Sequence, residues 1–389
     1  MANNNKHTGP NVPALRFPEF SGEWEKVLLS SACEINPKTG SLDNQFLYID
    51  LESVVKGSLV KRQIIEKDGA PSRAQRVLKE NDILYQCVRP YQLNNYIFEG
   101  DTIQCVASTG YAQLRTTQFP LYIFQALHTK QFTNQVLERC TGTNYPAINS
   151  SDLGTVEVSI CSLPEQVKIG SLLALIDSRI KTQSKIIKEL TTLRSALLEK
   201  VFQVSNPTLE VGAIVHQTSE RNKLCRYSNV LSVSNRFGFI NQSEQFEDRN
   251  VASDDVRNYK VVHRGDFAYN PARINVGSIA MLKTFESGIV SPMYICFQVD
   301  DTIVDPSFFE LFLETKAFKD EMEIRLEGSV RRCLSFEALC EIHLPRPALL
   351  VQRSITDKIG NISSKIKLED RILRAYIRQK EWLLKQMFI

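Results

Sequence analysis

The sequence lacks the motifs by which catalytic chains usually declare themselves. It has no G-x-x-x-x-G-K-[ST] loop, which excludes an ATP site of that kind. It has no G-x-G-x-x-G and no G-x-S-x-G nucleophile elbow. The five histidines are isolated, so no zinc or iron cluster can be assembled from their spacing. Nine cysteines stand at 33, 87, 105, 140, 161, 225, 296, 333 and 340 with no CxxC pair, and reduced, mostly buried thiols are expected. No apolar run approaches the length that crosses a membrane. Met1–Pro10 is polar and Asn-rich, so no signal peptide is expected and a cytoplasmic location is. Charge of one sign is scarce too: the net value is +3, compatible with nucleic acid but less basic than a DNA-coating protein. If DNA is the partner, positive charge must be local.

What is present is a repeat. At an offset of 186 residues, Gly142–Phe202 aligns with Gly328–Phe388 without a gap, with thirteen identities in 61 pairs. They include Gly142/Gly328, Leu153/Leu339, Gln166/Gln352, Ile180/Ile366 and Phe202/Phe388. A chain of 389 residues with 43% hydrophobic and 23% charged residues has room for two or three ordinary globular domains, and the repeat reads as an internal duplication.

Each copy ends in a long helical pattern. The first carries Ile169, Leu173, Ile176, Ile180, Gln183, Ile187, Leu190, Arg194, Leu197 and Val201 at alternating spacings of four and three. The second carries Ile355, Ile359, Ile362, Ile366, Glu369, Leu373, Tyr376, Lys380, Leu383 and Met387 in the same register. These are a/d seams, and their polar interruptions coincide, Gln183 with Glu369 and Arg194 with Lys380. Two matched narrow seams in one chain can bury each other, which predicts an intramolecular coiled coil, a strut of roughly 50 Å. The first helix has a start signal in Leu163-Pro164-Glu165-Gln166 and a stop in Ser205-Asn206-Pro207.

The expected organisation is an N-terminal tail 1–20, a mixed domain 21–163, a long helix 164–204, a second mixed domain 205–346 and a second long helix 347–389. The fold class is α+β. Short β-rich runs are Phe46–Leu51, Ile83–Val88, Thr155–Ile160 and Ile289–Val299. Weaker similarity extends through the domains: Asn81-Asp82-Ile83-Leu84-Tyr85 resembles Gly265-Asp266-Phe267-Ala268-Tyr269, and Thr129-Lys130-Gln131-Phe132 matches Thr315-Lys316-Ala317-Phe318. A shared scaffold with divergent loops suggests two versions of one kind of target.

The loops interleave basic and amide residues with aromatics. In the first domain these are Arg73, Arg76, Arg89, Tyr91, Gln92, Asn94, Asn95, Tyr96, Asn144 and Tyr145. In the second they are Arg221, Asn222, Lys223, Arg226, Tyr227, Arg273, Asn275, Arg331 and Arg332. Arg and Lys can read guanine edges or grip phosphates, and Asn and Gln can read adenine, although such residues also populate any solvated surface. The selected DNA contacts are Arg73, Arg89, Tyr91, Asn94, Asn144, Tyr145, Arg226, Arg273, Asn275, Arg331 and Arg332. The loops after Gly142 and Gly328 occupy equivalent positions yet read Thr-Asn-Tyr-Pro and Ser-Val-Arg-Arg, as two different readouts would require. Asn270-Pro271-Ala272-Arg273 is faintly like the Asn-Pro-Pro-aromatic loop of amino-methyltransferases, but lacks its second proline and its aromatic, and reads as a turn.

These features together resemble the specificity subunit of type I restriction–modification systems. The resemblance rests on Val12-Pro13-Ala14-Leu15-Arg16-Phe17-Pro18-Glu19-Phe20-Ser21-Gly22-Glu23-Trp24, on Asn81-Asp82-Ile83-Leu84, on the two glycine loops and on Leu163-Pro164-Glu165-Gln166. It runs from about residue 12 to the end. The second copy departs from it, with Leu350-Val351-Gln352 and prolines displaced to 345 and 347, so the start of its helix stays open by several residues. The resemblance implies two target-recognition domains on an antiparallel pair of helices related by a pseudo-twofold axis. Each domain would read half of a split DNA site, and the helices would set the unread spacer. It implies two methyltransferase subunits that methylate adenine with S-adenosylmethionine, joined in restricting complexes by motor-nuclease subunits that use ATP and Mg. This chain itself would hold no cofactor, metal or catalytic residue. Two other readings remain open: a non-catalytic two-domain scaffold without DNA binding, and a nuclease with an unrecognised site.

Overall fold

The computed structural model describes residues 11–203, 207–242, 255–328 and 332–389. It resolves into two compact units, Met1–Ile186 with Glu369–Ile389, and Ile187–Leu368. The division therefore cuts both long helices, so each unit is built from the two ends of the repeat and from parts of both helices.

The first unit centres on an antiparallel sheet in the order Cys33–Ile35, Tyr111–Thr116, Ile83–Gln86, Tyr96–Ile97. Its partner in the second unit runs Val215–Thr218, Ile295–Val299, Phe267–Tyr269, Ile279–Met281, the same order at nearly the offset of the repeat. Each unit also has a two-stranded ribbon, Glu25–Leu28 with Glu157–Ile160 and Thr208–Glu210 with His343–Pro345. What differs is the insertion. The first unit adds a four-stranded sheet, Gln63–Glu66, Gln45–Ile49, Cys105–Ser108, Ala74–Val77. The described residues of the second add two separate pairs, Leu231–Ser234 with Gly238–Asn241 and Lys260–His263 with Ser287–Val290. The run expected over 289–299 is thus two strands, because Pro292 has no N–H to donate and a turn, Tyr294 N–H to Ser291 C=O at 3.0 Å, separates them.

The repeat extends to single hydrogen bonds. Thr129 and Thr315 cap the helices Lys130–Glu138 and Lys316–Arg325, each accepting from the phenylalanine N–H three residues on. Asp82 and Asp266, both buried, accept the backbone N–H of Lys79 and His263 at 2.7 Å. Gln166 and Gln352 clamp the two helix starts. Gln166 accepts from Phe119 N–H at 3.1 Å and donates to Cys161 C=O at 2.8 Å. Gln352 accepts from Asp305 N–H at 2.9 Å and donates to Pro347 C=O at 2.9 Å. Both are buried. Gln166→Leu is expected to cost about 1–3 kcal/mol, because it orphans the part-buried Phe119 N–H and Cys161 carbonyl. Urea denaturation checks this; Lys181→Ala on the exposed face of the same helix should stay within about 0.5 kcal/mol of wild type.

The first long helix spans Leu163–Gln203 and the second Leu349–Met387. Leu349 is the repeat partner of Leu163, which settles the open start of the second helix. The expected stop lies partly outside the described residues, at Ser205 and Asn206. Within the first unit the helices run antiparallel. Leu383 and Met387 enter the core beside Ile169, Leu173 and Ile176, and Lys380 Nζ meets Asp177 Oδ1 at 2.6 Å. Gln183 donates to the carboxylate and backbone carbonyl of Glu369. These two residues are each other's repeat partners, so here each helix meets its own counterpart. Within the second unit, Arg194 Nε donates to Ser363 Oγ at 2.7 Å, the repeat image of Lys380 on Asp177.

Ile169, Leu173, Ile176, Ile359 and Leu383 of the seams are buried, and Ile180, Ile187, Leu190, Ile355, Ile362, Ile366, Leu373 and Tyr376 are half-buried. Leu197 is a correction. It is 37% exposed, and Leu198, at 4%, takes its place in the core. A straight helix drifts away from a 3.5-residue seam. Past Arg194 the buried face also turns towards the second unit's own helix Pro306–Glu314, where the Phe202 ring lies 4.8 Å from Phe308 and 5.7 Å from Phe312. The expected tail also needs correction over its described part, residues 11–20. Leu15 N–H donates to Gln386 C=O at 2.9 Å, and Arg16 forms a two-pronged pair with the buried Glu165 at 2.8 Å.

All nine cysteines are free thiols. Burial pushes Cys33 and Cys87 up to about 11 and Cys296 up to about 12, so they stay protonated and unreactive.

Candidate nucleic-acid interface

In the first unit the strand Ile83–Gln86 leads out of the sheet through Cys87 and Val88 to Arg89. Val88 bridges Ala147, and Arg89 N–H donates to Pro146 C=O at 2.8 Å. Between the bridges the chain turns at Gly142, where φ is +88° and a Cβ would stand 3.1 Å from the Tyr145 carbonyl oxygen. Only glycine makes this turn without strain. It lifts Asn144 and Tyr145 into solvent, with Tyr145 64% exposed. The Arg89 guanidinium lies over the Tyr145 ring, 4.3 Å from its centroid, a cation–π contact that holds two flexible groups together.

Arg89 and Leu93 both hold positive φ, 55° and 54°, which costs non-glycine residues about 1–2 kcal/mol each. Polar contacts hold the segment there. Gln86 Nε2 donates to Gln92 Oε1 at 2.9 Å, its Oε1 accepts from Asn94 N–H at 3.2 Å, and its own N–H donates to Asn95 Oδ1 at 2.9 Å. Asn94, half-buried, accepts Lys56 N–H at 3.0 Å on its side-chain oxygen. Asn95 is buried. Tyr91 is half exposed on the same segment, and Arg73 is exposed, its carbonyl accepting from Thr109 while Gly110 accepts from Cys87. The fold thus gathers Arg73, Arg89, Tyr91, Asn144 and Tyr145.

His128 lies behind this face and was not singled out from sequence, since a lone histidine after a helix carries no spacing signal. Its Nδ1 is 2.6 Å from Phe124 C=O and its Nε2 is 3.5 Å from Asn95 Nδ2. A donor at Nδ1 and an acceptor at Nε2 satisfy both, which is the neutral ring. Burial first, then the Lys380 charge, depress its pKa to about 4. A histidine whose folded pKa lies below its unfolded value of about 6.5 takes up protons on unfolding between those values. Its contribution is present above pH 6.5 and is lost as pH falls to about 4, on the order of 3 kcal/mol in all. His128→Gln should flatten that part of the stability–pH profile, measured by urea midpoints between pH 4 and 7.

In the second unit Arg273 and Asn275 are exposed on the loop after Phe267–Tyr269. Asn270 starts a turn, accepting Ala272 N–H on its side chain at 3.1 Å and Arg273 N–H on its carbonyl at 3.0 Å. Arg273 borders a cleft of about 320 Å³ with Asn235, Gln242, Asn270, Tyr259 and Met293. Arg226 is exposed on a separate segment held by the buried Asn222, which bonds both N–H and C=O of Tyr227. Arg332 is not free: its guanidinium grips the Glu323 carboxylate and carbonyl, each at 2.8 Å. Arg331 lies outside the described residues. Among the described residues there is no cluster of three or more metal-ligating side chains, and no helix is long and apolar enough to cross a membrane.

Residues 21–192 match the family model of the type I restriction modification DNA specificity domain. The chain is 24% identical over 172 residues to the type I restriction enzyme HindI specificity subunit of Haemophilus influenzae, a match covering 43% of this chain and 34% of that protein. The matched stretch thus spans about a third of the curated relative's length. Among solved structures, the type I restriction-modification S subunit from M. genitalium shares the fold with a TM-score of 0.62 and 16% identity, over 97% of this chain and 99% of that one. A chain solved in a study of assembly and conformational transition in a type I R-M system gives 0.53 and 20%, over 94% and 97%. The specificity-domain match covers residues 21–192, and the solved type I S-subunit chain and its counterpart share the fold over nearly the whole of this one.

Proposed function

We propose that this chain is the address-bearing subunit of a DNA adenine-methylating complex, each unit reading one half of a bipartite site. The observation that carries the reading is the contrast between the two units. They repeat a scaffold down to single caps and clamps, yet present different chemistry on it: Arg89 on Tyr145 in one, Arg273 and Asn275 beside a cleft in the other. Phosphate contacts supply salt-dependent affinity and base-edge contacts supply specificity. Mismatches cost ~1–3 kcal/mol each and roughly add, so two half-sites on one chain multiply selectivity. The paired helices set the spacer between half-sites. Two methyltransferase subunits with S-adenosylmethionine carry out the methylation, and motor-nuclease subunits with ATP and Mg join where the complex restricts. The chain works in the cytoplasm and performs no chemistry itself.

Co-expression with a neighbouring-gene methyltransferase, followed by mapping of N6-methyladenine across the host genome, tests this. The expected result is one bipartite motif with a fixed spacer and one methylated adenine per strand. No new methylation, with the same methyltransferase active beside another specificity subunit, rejects it. Arg89→Ala should relax the first half-site by about 1–3 kcal/mol per affected base pair while leaving the second unchanged.

A further inference from the structure

Arginines with buried partners in the first unit are matched to carboxylates: Arg16 to Glu165, and Arg115 to Asp82, each at 2.8 Å. Arg76 is different. It projects from the strand Ala74–Val77, is half-buried, and its Nε is enclosed with no hydrogen-bond partner. No carboxylate among the described residues pairs with it, and the nearby Cys87 thiol, pushed up to about 11 by burial, is neutral. Burial also lowers the Arg76 pKa from its ordinary value, the mark of a cation losing solvent without gaining a counter-charge. Taking a guanidinium out of water unpaired is destabilising.

The position explains why such a group is kept. Arg76 pairs with Ala107 across the sheet, and Cys87 lies beside it. Cys87 C=O accepts from Ile148 N–H at 3.1 Å, and the next two residues hold the Gly142–Ala147 turn. Arg76 therefore stands at the root of the face that presents Arg89, Asn144 and Tyr145, three residues along from the exposed Arg73. A guanidinium has five donors and no acceptor, so what completes it is an acceptor oxygen from outside the chain.

Resting on the DNA-reading function above, we propose that Arg76 is a DNA-contact residue of the first unit, its unpaired guanidinium completed by an acceptor oxygen of the bound duplex, on a guanine edge or a phosphate. A residue of this kind weakens the free protein and strengthens the complex, and the two effects have opposite signs under one substitution.

The test uses Arg76→Met, which keeps the apolar stem and removes the charge, and Arg76→Lys, both in the full chain. The thermal midpoint is measured on the free chain, and duplex binding on the complex with methyltransferase between 50 and 200 mM salt, a range over which phosphate contacts show strongly. Arg76→Met should raise the midpoint and weaken binding to the cognate duplex about 10- to 100-fold. A phosphate contact lowers the salt slope by about one and weakens all sequences alike, with Arg76→Lys largely rescuing. A guanine contact keeps the slope, relaxes one base pair of the first half-site and is rescued poorly by lysine. Wild-type affinity, slope and specificity in Arg76→Met overturn the inference, as does a lowered midpoint with equal losses at both half-sites, the signature of a structural role. A wild-type complex with no sequence-dependent binding overturns the functional reading and this inference together; a wild-type complex that binds normally and ignores the substitution overturns this inference alone.

Discussion

Phe388→Ala is expected to destabilise the first unit by about 2–4 kcal/mol, although Phe388 lies more than 260 residues from the rings it touches. Its ring centroid is 6.1 Å from Trp24 and 5.2 Å from Tyr122, and all three join one core. Full burial of phenylalanine would put the cost at about 3–5 kcal/mol, and the partial exposure of Phe388 reduces it. Trp24 is 2% exposed while the other tryptophan, Trp382, is 54% exposed, so the fluorescence change on unfolding reports mainly on the first unit. A reduced urea midpoint in that signal is the expected result; a midpoint within error of wild type means the ring contributes nothing to the core. The repeat supplies the matching experiment. Phe202 is the partner of Phe388, and Phe308 of Tyr122; Phe202 packs on Phe308 in the second unit. Phe202→Ala should therefore leave the Trp24 transition in place and increase amide exchange in the helix Pro306–Glu314. In methylation assays the two substitutions should weaken different half-sites.

The reciprocal placement of these two phenylalanines shows what could be read from the residues and what could not. The duplication, the two helices and their seams were legible because identities and heptad spacing persist over 61 aligned pairs. The same spacing put Leu197 in the seam, and the structure puts Leu198 there. Periodicity describes a helix packed on one partner along its length; it cannot register that the last turns pack on a different surface, the aromatic helix Pro306–Glu314. Arg89 and Tyr145 come together because the Val88–Ala147 bridge and the Arg89 N–H to Pro146 C=O hydrogen bond join segments about sixty residues apart. Asn94 and Arg332 carry the same chemistry in sequence and have partners within the chain, Lys56 N–H and Glu323. Gln86 and His128 escaped notice for the converse reason: a glutamine in a strand and an isolated histidine have no pattern, and their roles exist only once the segment they support is folded.

The largest functional effect should come from the helices. If they set the spacer, inserting one heptad into each, at matched positions beside Ile187 and Leu373, keeps both seams in register and lengthens the strut by about 10 Å. At ~34 Å per turn of DNA that is about three base pairs, which also rotates one half-site by roughly a third of a turn relative to the other. Methylation at the original spacing should then fall by two orders of magnitude or more, with any remaining activity moved to a spacer about three base pairs longer. A heptad inserted into the first helix alone is a harsher change. Beside Ile187 it throws the Arg194–Ser363 contact out of step with the Gln183–Glu369 and Asp177–Lys380 contacts, so the two ends of the pair can no longer form together. That variant should lose specific methylation altogether while the sheets of each unit, whose strands come from outside the helices, stay folded by circular dichroism. Genome-wide methylation mapping distinguishes these outcomes, and an unchanged spacer in the doubly extended chain would falsify the ruler, leaving the helices as a mere tether between two independent readers.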